Sequence, residues 1–457
     1  MAATPDPRRS DLAHLFRRAG FGARPDEVDH AATQGYPATV ESLLAGLTGP
    51  DPAADAIAPP PFAASGVAPL PPATDPAARQ TAIKARNAEA AGEYQALQRW
   101  WLNRMIATST PLREKMTLLW HGHFATAFQK VRVASFMFRQ NELFRTLGGG
   151  SFETLTQAVA KDPAMMRWLD TESNVAGHPN ENFARELMEL FTLGIGNYAE
   201  TDVQAAARAF TGWSLVPATG AFVLRPRRHD SGPKTFLGQS GNFDGTDIVR
   251  IVTHQPASAR FVVAKLWSHL AYPVAPTDAL VAPLAAAYAR DLDITSLLRT
   301  IFLHPGFTSS AAKQGLVKQP IEWVVGLARA FGLDADLKPS GGTGAGAVAG
   351  RSPLSGILAV LAQEPFNPPN VGGWAQNGYW LNTATSLARL QAGLAVAARL
   401  DLSWLDVVPV GQRPAAIGQR LSIDGWGQTT LAALNHVAGH PVVLVGLAVT
   451  APEYVLN

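Results

Sequence analysis

The sequence predicts a mainly α-helical protein, a large multi-helix orthogonal bundle with a small β-hairpin and Gly-rich loop excursion near residues 214–245. Three observations carry this. Apolar residues recur at three- and four-residue spacing along most of the chain. Extended-type residues gather only around Phe222, Val223 and Leu224, between Gly and Pro. Hydrophobic content of 47% against 16% charged is that of a folded chain with a large core. We read residues 1–457 as a single large helical domain.

The elements follow in order. Asp11 to Arg18 reads as a short amphipathic helix that Gly20-Phe21-Gly22 ends, and a second helix starts at Arg24-Pro25 with proline in its first turn. Residues 50–78, rich in Pro and Ala, read as a long surface loop. The stretch 79–130 is helical, with Leu97, Trp100, Trp101, Met105 and Ile106 in one segment and Met116, Leu119, Trp120 and Phe124 in the next. Helices are expected at 133–147, 151–160 and 180–194, and from Asp202 to Phe210 with Thr201 as cap. Beyond the excursion they resume at 246–253, 256–271, 277–289, 293–302 and 319–331. A flexible Gly-rich loop is expected at 339–352, and helices again to the end, interrupted by EPFNPPNVGGWAQNGYW.

Composition excludes several classes. With no cysteine there are no disulfides, thiolate metal sites or cysteine nucleophiles. A net charge of +2 gives no electrostatic argument for nucleic acid. No run approaches the roughly 18 apolar residues of a membrane span. The N-terminus shows no apolar segment of a signal peptide, which fits a cytoplasmic protein or an exported one whose signal has been removed. No Walker loop, GxSxG elbow or HExxH occurs, and GGTGAGAVAG at 341–350 lacks the strand that a dinucleotide fingerprint needs.

Chemistry-bearing residues gather in a few segments. In NENFARELMELFTLG (180–194), Asn182, Arg185, Glu186 and Glu189 fall at i, i+3, i+4 and i+7, one polar stripe on an otherwise apolar helix. Arg185 and Glu189 can pair at i, i+4, which leaves Glu186 as the carboxylate in need of a partner. In LREKMTLLWHGHFAT (112–126), His121 and His123 diverge by about 200° if helical. They could share a metal only if Gly122 breaks the helix. On the helical reading His123 points inward with Leu112, Met116 and Leu119, either as a core histidine or toward a carboxylate. A third cluster packs His229, Asp230 and Lys234 into a Gly/Pro loop, either a simple turn or a lid. Asp170, Asn174 and His178 lie near the start of the 180–194 helix, whose N-terminus could hold an anion. The FNPPNVGGW loop (366–374) with Tyr379 and Trp380 reads as aromatic packing or as a pocket wall.

These segments occur in a fixed order together with HLFRRAGFG, DPAMMRWLD, DVQAAARAFTGW, HDSGPKTFLG, ASARFVVAKLW and YWLN. In that combination the chain resembles the bacterial domain-of-unknown-function family 1800 (DUF1800) over residues 12–395. The resemblance implies no catalytic residue. It implies a protein partner encoded nearby, similar to alkaline phosphatases and sulfatases.

The leading expectation is a metal-assisted or acid–base enzyme, a hydrolase or oxidoreductase, acting on a small molecule or glycan. Its catalytic candidates are Asn182, Arg185, Glu186, Glu189, His229, Asp230 and Lys234. His121, His123 and Glu186 are its candidate ligands for a divalent Zn, Mn, Fe or Cu ion. The alternatives are a non-catalytic scaffold or partner subunit, and a haem or flavin enzyme with the ring between aromatic helices.

Overall fold

The computed structural model describes residues 7–62, 70–340, 350–423 and 425–456. The 63–69 part of the Pro/Ala-rich loop and the 341–349 part of the Gly-rich loop lie outside the described residues. Twenty-three α-helices and two two-stranded sheets make up the described residues, so the fold is mainly α. Many helices begin on proline, among them Pro111–His123, Pro256–Leu270 and Pro320–Phe331. Proline suits a first turn because its missing N–H would have no partner there. Asp162, Asp244 and Asp293 cap others, accepting from the backbone N–H of Met165, Asp247 and Ser296.

Two large apolar cores and a small third one of Leu12, Ala23, Val28 and Ala31 lie among the described residues. One large core includes Phe124, Phe152, Phe191, Phe210 and Val263. The other includes Trp101, Trp323, Phe366, Leu444 and Tyr454. Helix Pro111–His123 contributes to both: Met116, Leu119 and Trp120 to the first and Leu118 to the second. It is therefore the central wall of the molecule, and its C-terminal turn carries His121 and His123.

Several expectations need correction. The excursion holds two hairpins rather than one: Trp213–Leu215 pairs with Phe222–Leu224, and Lys234–Phe236 with Gln239–Gly241. The helix Glu200–Ala209 is not capped by Thr201; Asp202 accepts from the Ala199 N–H instead. The expected helix 277–289 starts only at Val281. The 180–194 helix changes type midway, with an α segment Asn182–Glu186 followed by a π segment Leu187–Thr192.

The loop from Phe366 to Trp374 docks on the end of helix Pro111–His123. Gly373 lies at φ +82°, and a Cβ there would sit 2.1 Å from the Gly122 carbonyl oxygen. Gly373→Ala is expected to cost about 2–4 kcal/mol, from backbone strain and a clash that neither backbone can relieve. Chemical denaturation measures it; an unchanged midpoint would show that the loop does not press on Gly122.

Candidate functional site

The helix Pro111–His123 runs unbroken through Gly122, so His121 and His123 diverge and cannot chelate as an extended pair. His121 sits in a cage of Trp101, Phe366 and Trp374, and its Nε2 accepts the Phe366 N–H at 3.0 Å. Burial pushes it down to about 3, so the ring is neutral. His121 thus anchors the 366–374 loop.

His123 points inward as its helical face requires, and it is 2% exposed. Its Nε2 donates to the Phe191 carbonyl at 3.0 Å, and its Nδ1 has no partner among the described residues. Burial, then the Lys265 charge, holds it well below its ordinary value.

The Phe191 carbonyl is available because the helix ends at Thr192, before the Ile195 N–H that would be its α-helical partner. Leu193 and Gly194 donate to the Met188 carbonyl at 2.8 and 3.0 Å, at i−5 and i−6 in place of the i−4 bonds of an α-helix. Gly194, at φ +77°, turns the chain away, and a Cβ there would meet the Phe261 ring at 3.2 Å. The wider turn also rephases the polar stripe. Arg185 does not pair with Glu189. It donates to Glu181 at 2.9 Å and to Glu200 at 2.6 and 3.0 Å. Glu189 accepts the Tyr198 hydroxyl at 2.8 Å. Glu186 is half-buried without a hydrogen bond or ion pair among the described residues; burial, then the Glu189 charge, raises it. Asn182 donates to the Leu169 carbonyl at 3.3 Å, and Asn174 accepts the Asn180 N–H, so side chains fill the start of this short helix.

His123 and Glu189 line one cleft of about 530 Å³, together with Leu190, Leu193, Arg260 and Lys265. That volume suits a small molecule. Ile195, 80% exposed, stands at the same cleft between two glycines of positive φ. Of the nine side chains singled out in the sequence, these two alone line it; Glu186, expected at the centre beside His123, does not.

The third cluster is elsewhere. Asp230 takes both Arg208 nitrogens at 2.7 and 3.2 Å and the Gly232 N–H at 2.9 Å. His229 Nδ1 lies 2.8 Å from the Thr211 carbonyl. Lys234, buried, donates to the Asp230 and Gly232 carbonyls at 2.6 and 3.0 Å. These bonds hold the loop against helix Glu200–Ala209 as a turn, not as a lid over His123 and Glu186. Among the described residues no three His, Asp or Glu side chains come together as a metal-ligand group. His121, His123 and Glu186 are therefore not assembled as a ligand set.

The residues missed in the sequence are Arg260 and Lys265 on helix Pro256–Leu270. A signal existed: Ala257, Phe261 and Lys265 fall at i, i+4 and i+8, a lysine on the stripe of an aromatic ring. Lys265 is half-buried, its Nζ 5.7 Å from the Phe261 ring centroid. It has no ion pair or hydrogen bond through Nζ among the described residues, and neither has Arg260. Burial pulls the Lys265 amine down to about 8.

A family model described as "Protein of unknown function (DUF1800)" matches residues 14–456. No curated protein and no solved structure matches the chain. No helix of the described residues is long and apolar enough to cross a membrane.

Proposed function

We propose that this chain, which belongs to the DUF1800 family of proteins of unknown function, binds a small anionic molecule in the cleft of His123, Glu189, Arg260 and Lys265 and acts on it by acid–base chemistry. One observation carries the reading: two cations of one helix line a small-molecule-sized cleft, and neither has an anionic partner. Three other lysines have carboxylate partners: Lys115 with Glu322, Lys130 with Asp170, Lys313 with Asp11. Lys265 is half-buried without a counter-ion, which is costly, and an arriving carboxylate, phosphate or sulfate would relieve that cost, with the exposed Arg260 at the rim to meet it. Each charge-assisted hydrogen bond so formed contributes about 1.5–3 kcal/mol.

The same groups supply proton transfer. With the amine near 8, about a tenth of Lys265 is neutral at pH 7. Glu189, held by the Tyr198 hydroxyl, lines the same cleft. An amine and a carboxyl group on the walls of one cleft are a pair that acid–base catalysis can use. Metal assistance has weaker support, because His121 and His123 spend their Nε2 atoms on backbone partners.

Thermal melts in phosphate or sulfate, at ionic strength matched with chloride, test the anion. We expect the melting temperature to rise with phosphate, and the rise to fade as pH passes 8 and the ammonium is lost. In a Lys265→Met, Arg260→Ala variant the rise should disappear. An equal response in both proteins would overturn the reading.

A further inference from the structure

We propose that Lys265 is a covalent nucleophile whose ε-amine condenses with the carbonyl of a small keto acid or phosphorylated aldehyde or ketone to form an imine. This rests on the cleft as a ligand site and adds a bond-forming step to it. The amine lines the cleft with no carboxylate to hold its proton and no acceptor among the described residues to orient it away. Comparison with the other buried lysines is informative. Lys115 is paired with Glu322, Lys234 is bonded to two carbonyls, and Lys318 is packed 3.6 Å from the centre of the Tyr454 ring. Lys265 alone among these four opens onto a cavity of ligand size. Burial beside Phe261 also keeps a substantial share of the amine unprotonated near pH 8, which a nucleophilic lysine requires.

The step balances within the cleft. The neutral amine attacks the carbonyl carbon, and the C=O electron pair moves to oxygen, which takes a proton. Nitrogen loses a proton, the hydroxyl leaves as water after protonation, the nitrogen lone pair closes the C=N bond, and the iminium nitrogen gives up its second proton, so the two protons taken up by oxygen match the two lost by nitrogen. Amine and carbonyl compound thus give imine and water, without oxidant or reductant. Glu189 is placed to move these protons, and Arg260 to hold the carboxylate or phosphate of the ligand.

Pyridoxal 5′-phosphate, an aldehyde with a phosphate, and pyridoxal, which lacks it, probe both parts. The full-length protein is incubated with each, reduced with borohydride to fix any imine as a secondary amine, and peptide-mapped. Lys265 should be labelled at least about tenfold faster than exposed lysines such as Lys84, because far more of its amine is neutral near pH 7.5. Its labelling should level off above pH 8 while theirs keeps rising. Lys265→Arg should abolish the fast site, with circular dichroism confirming its fold. Arg260→Ala should slow labelling by the phosphate compound and spare that by pyridoxal. Fast labelling of Lys265 by both compounds alike would uphold the imine and sink the anion site. No preference for Lys265 with either compound in the unaltered protein would overturn the proposal.

Discussion

Glu114→Ala is expected to destabilise the protein by about 3–5 kcal/mol, the cost of stranding buried charge. The carboxylate is fully buried on helix Pro111–His123. It accepts from Arg145 at 2.7 and 3.0 Å, from the Trp101 indole at 2.9 Å and from Arg104 at 3.4 Å. Burial alone would raise this carboxyl; the Arg145 charge and hydrogen bonds outweigh burial and hold it below its usual range. Trp101 and Arg104 come from helix Pro76–Ala107 and Arg145 from Ala134–Leu147, so one side chain fastens three helices. Removing it leaves two buried guanidiniums without their shared anion. Urea midpoints at pH 7 measure the loss. Arg299→Ala, which breaks an exposed pair with Glu41, serves as the control and should barely move the midpoint. Equal, small shifts in both variants would show that Glu114 is not a buried anchor. A variant with apolar residues replacing both Glu114 and Arg145 should recover part of the loss, because the Arg145 guanidinium is then no longer buried without its main anion.

This network shows which parts of the molecule were legible in the sequence. Helical periodicity located most helices within a few residues, because burying one face of a helix imposes that spacing on the residues themselves. The inward face of His123 was readable for the same reason. The π segment was not. Leu187 to Thr192 differ little from α-helical sequence, and the bonds that accompany the wider turn, the Thr192 hydroxyl on the Leu187 carbonyl and His123 on the Phe191 carbonyl, are not legible in local spacing. The wider turn removed the expected Arg185–Glu189 pair and turned Glu189 rather than Glu186 to the cleft. The His229–Lys234 cluster was found as a cluster, but its meaning depended on Arg208, 22 residues from Asp230, which no local spacing reveals. Lys265 was passed over because a lone lysine within an apolar helix looks like an ordinary surface residue. Its significance comes from partners it lacks, and those are defined only in three dimensions.

Mild acid should destabilise the protein, by about 3–4 kcal/mol between pH 7 and pH 5.5. Four histidines are buried or half-buried and neutral. Burial pushes His14 down to about 2, His121 to about 3 and His269 to about 4, and holds His123 well below its ordinary value of 6.5. In the unfolded chain all four titrate near 6.5. As pH falls below that value the unfolded chain binds protons that the folded one refuses, so stability is lost at about 1.4 kcal/mol per unit for each histidine. Asp162 acts in the opposite direction. Burial raises it to about 7, so between 7 and 3.8 the folded protein holds a proton the unfolded one releases, and acidification strengthens the fold at that site. It offsets about 1.6 kcal/mol by pH 5.5, roughly a third of the histidine effect. Urea titrations at the two pH values give the difference directly. The attribution is checked by His269→Gln, whose pH 7 to 5.5 loss should be smaller by about 1.3 kcal/mol whatever its stability at pH 7. A pH dependence the same as that of the unaltered protein would mean that His269 is protonated in the fold. The prediction bears on function through His123: a ring that burial holds neutral keeps its Nε2–H on the Phe191 carbonyl and adds no charge to the cleft. Anion binding there would then follow Lys265 alone above neutrality and be limited in acid by unfolding, not by a change in the site.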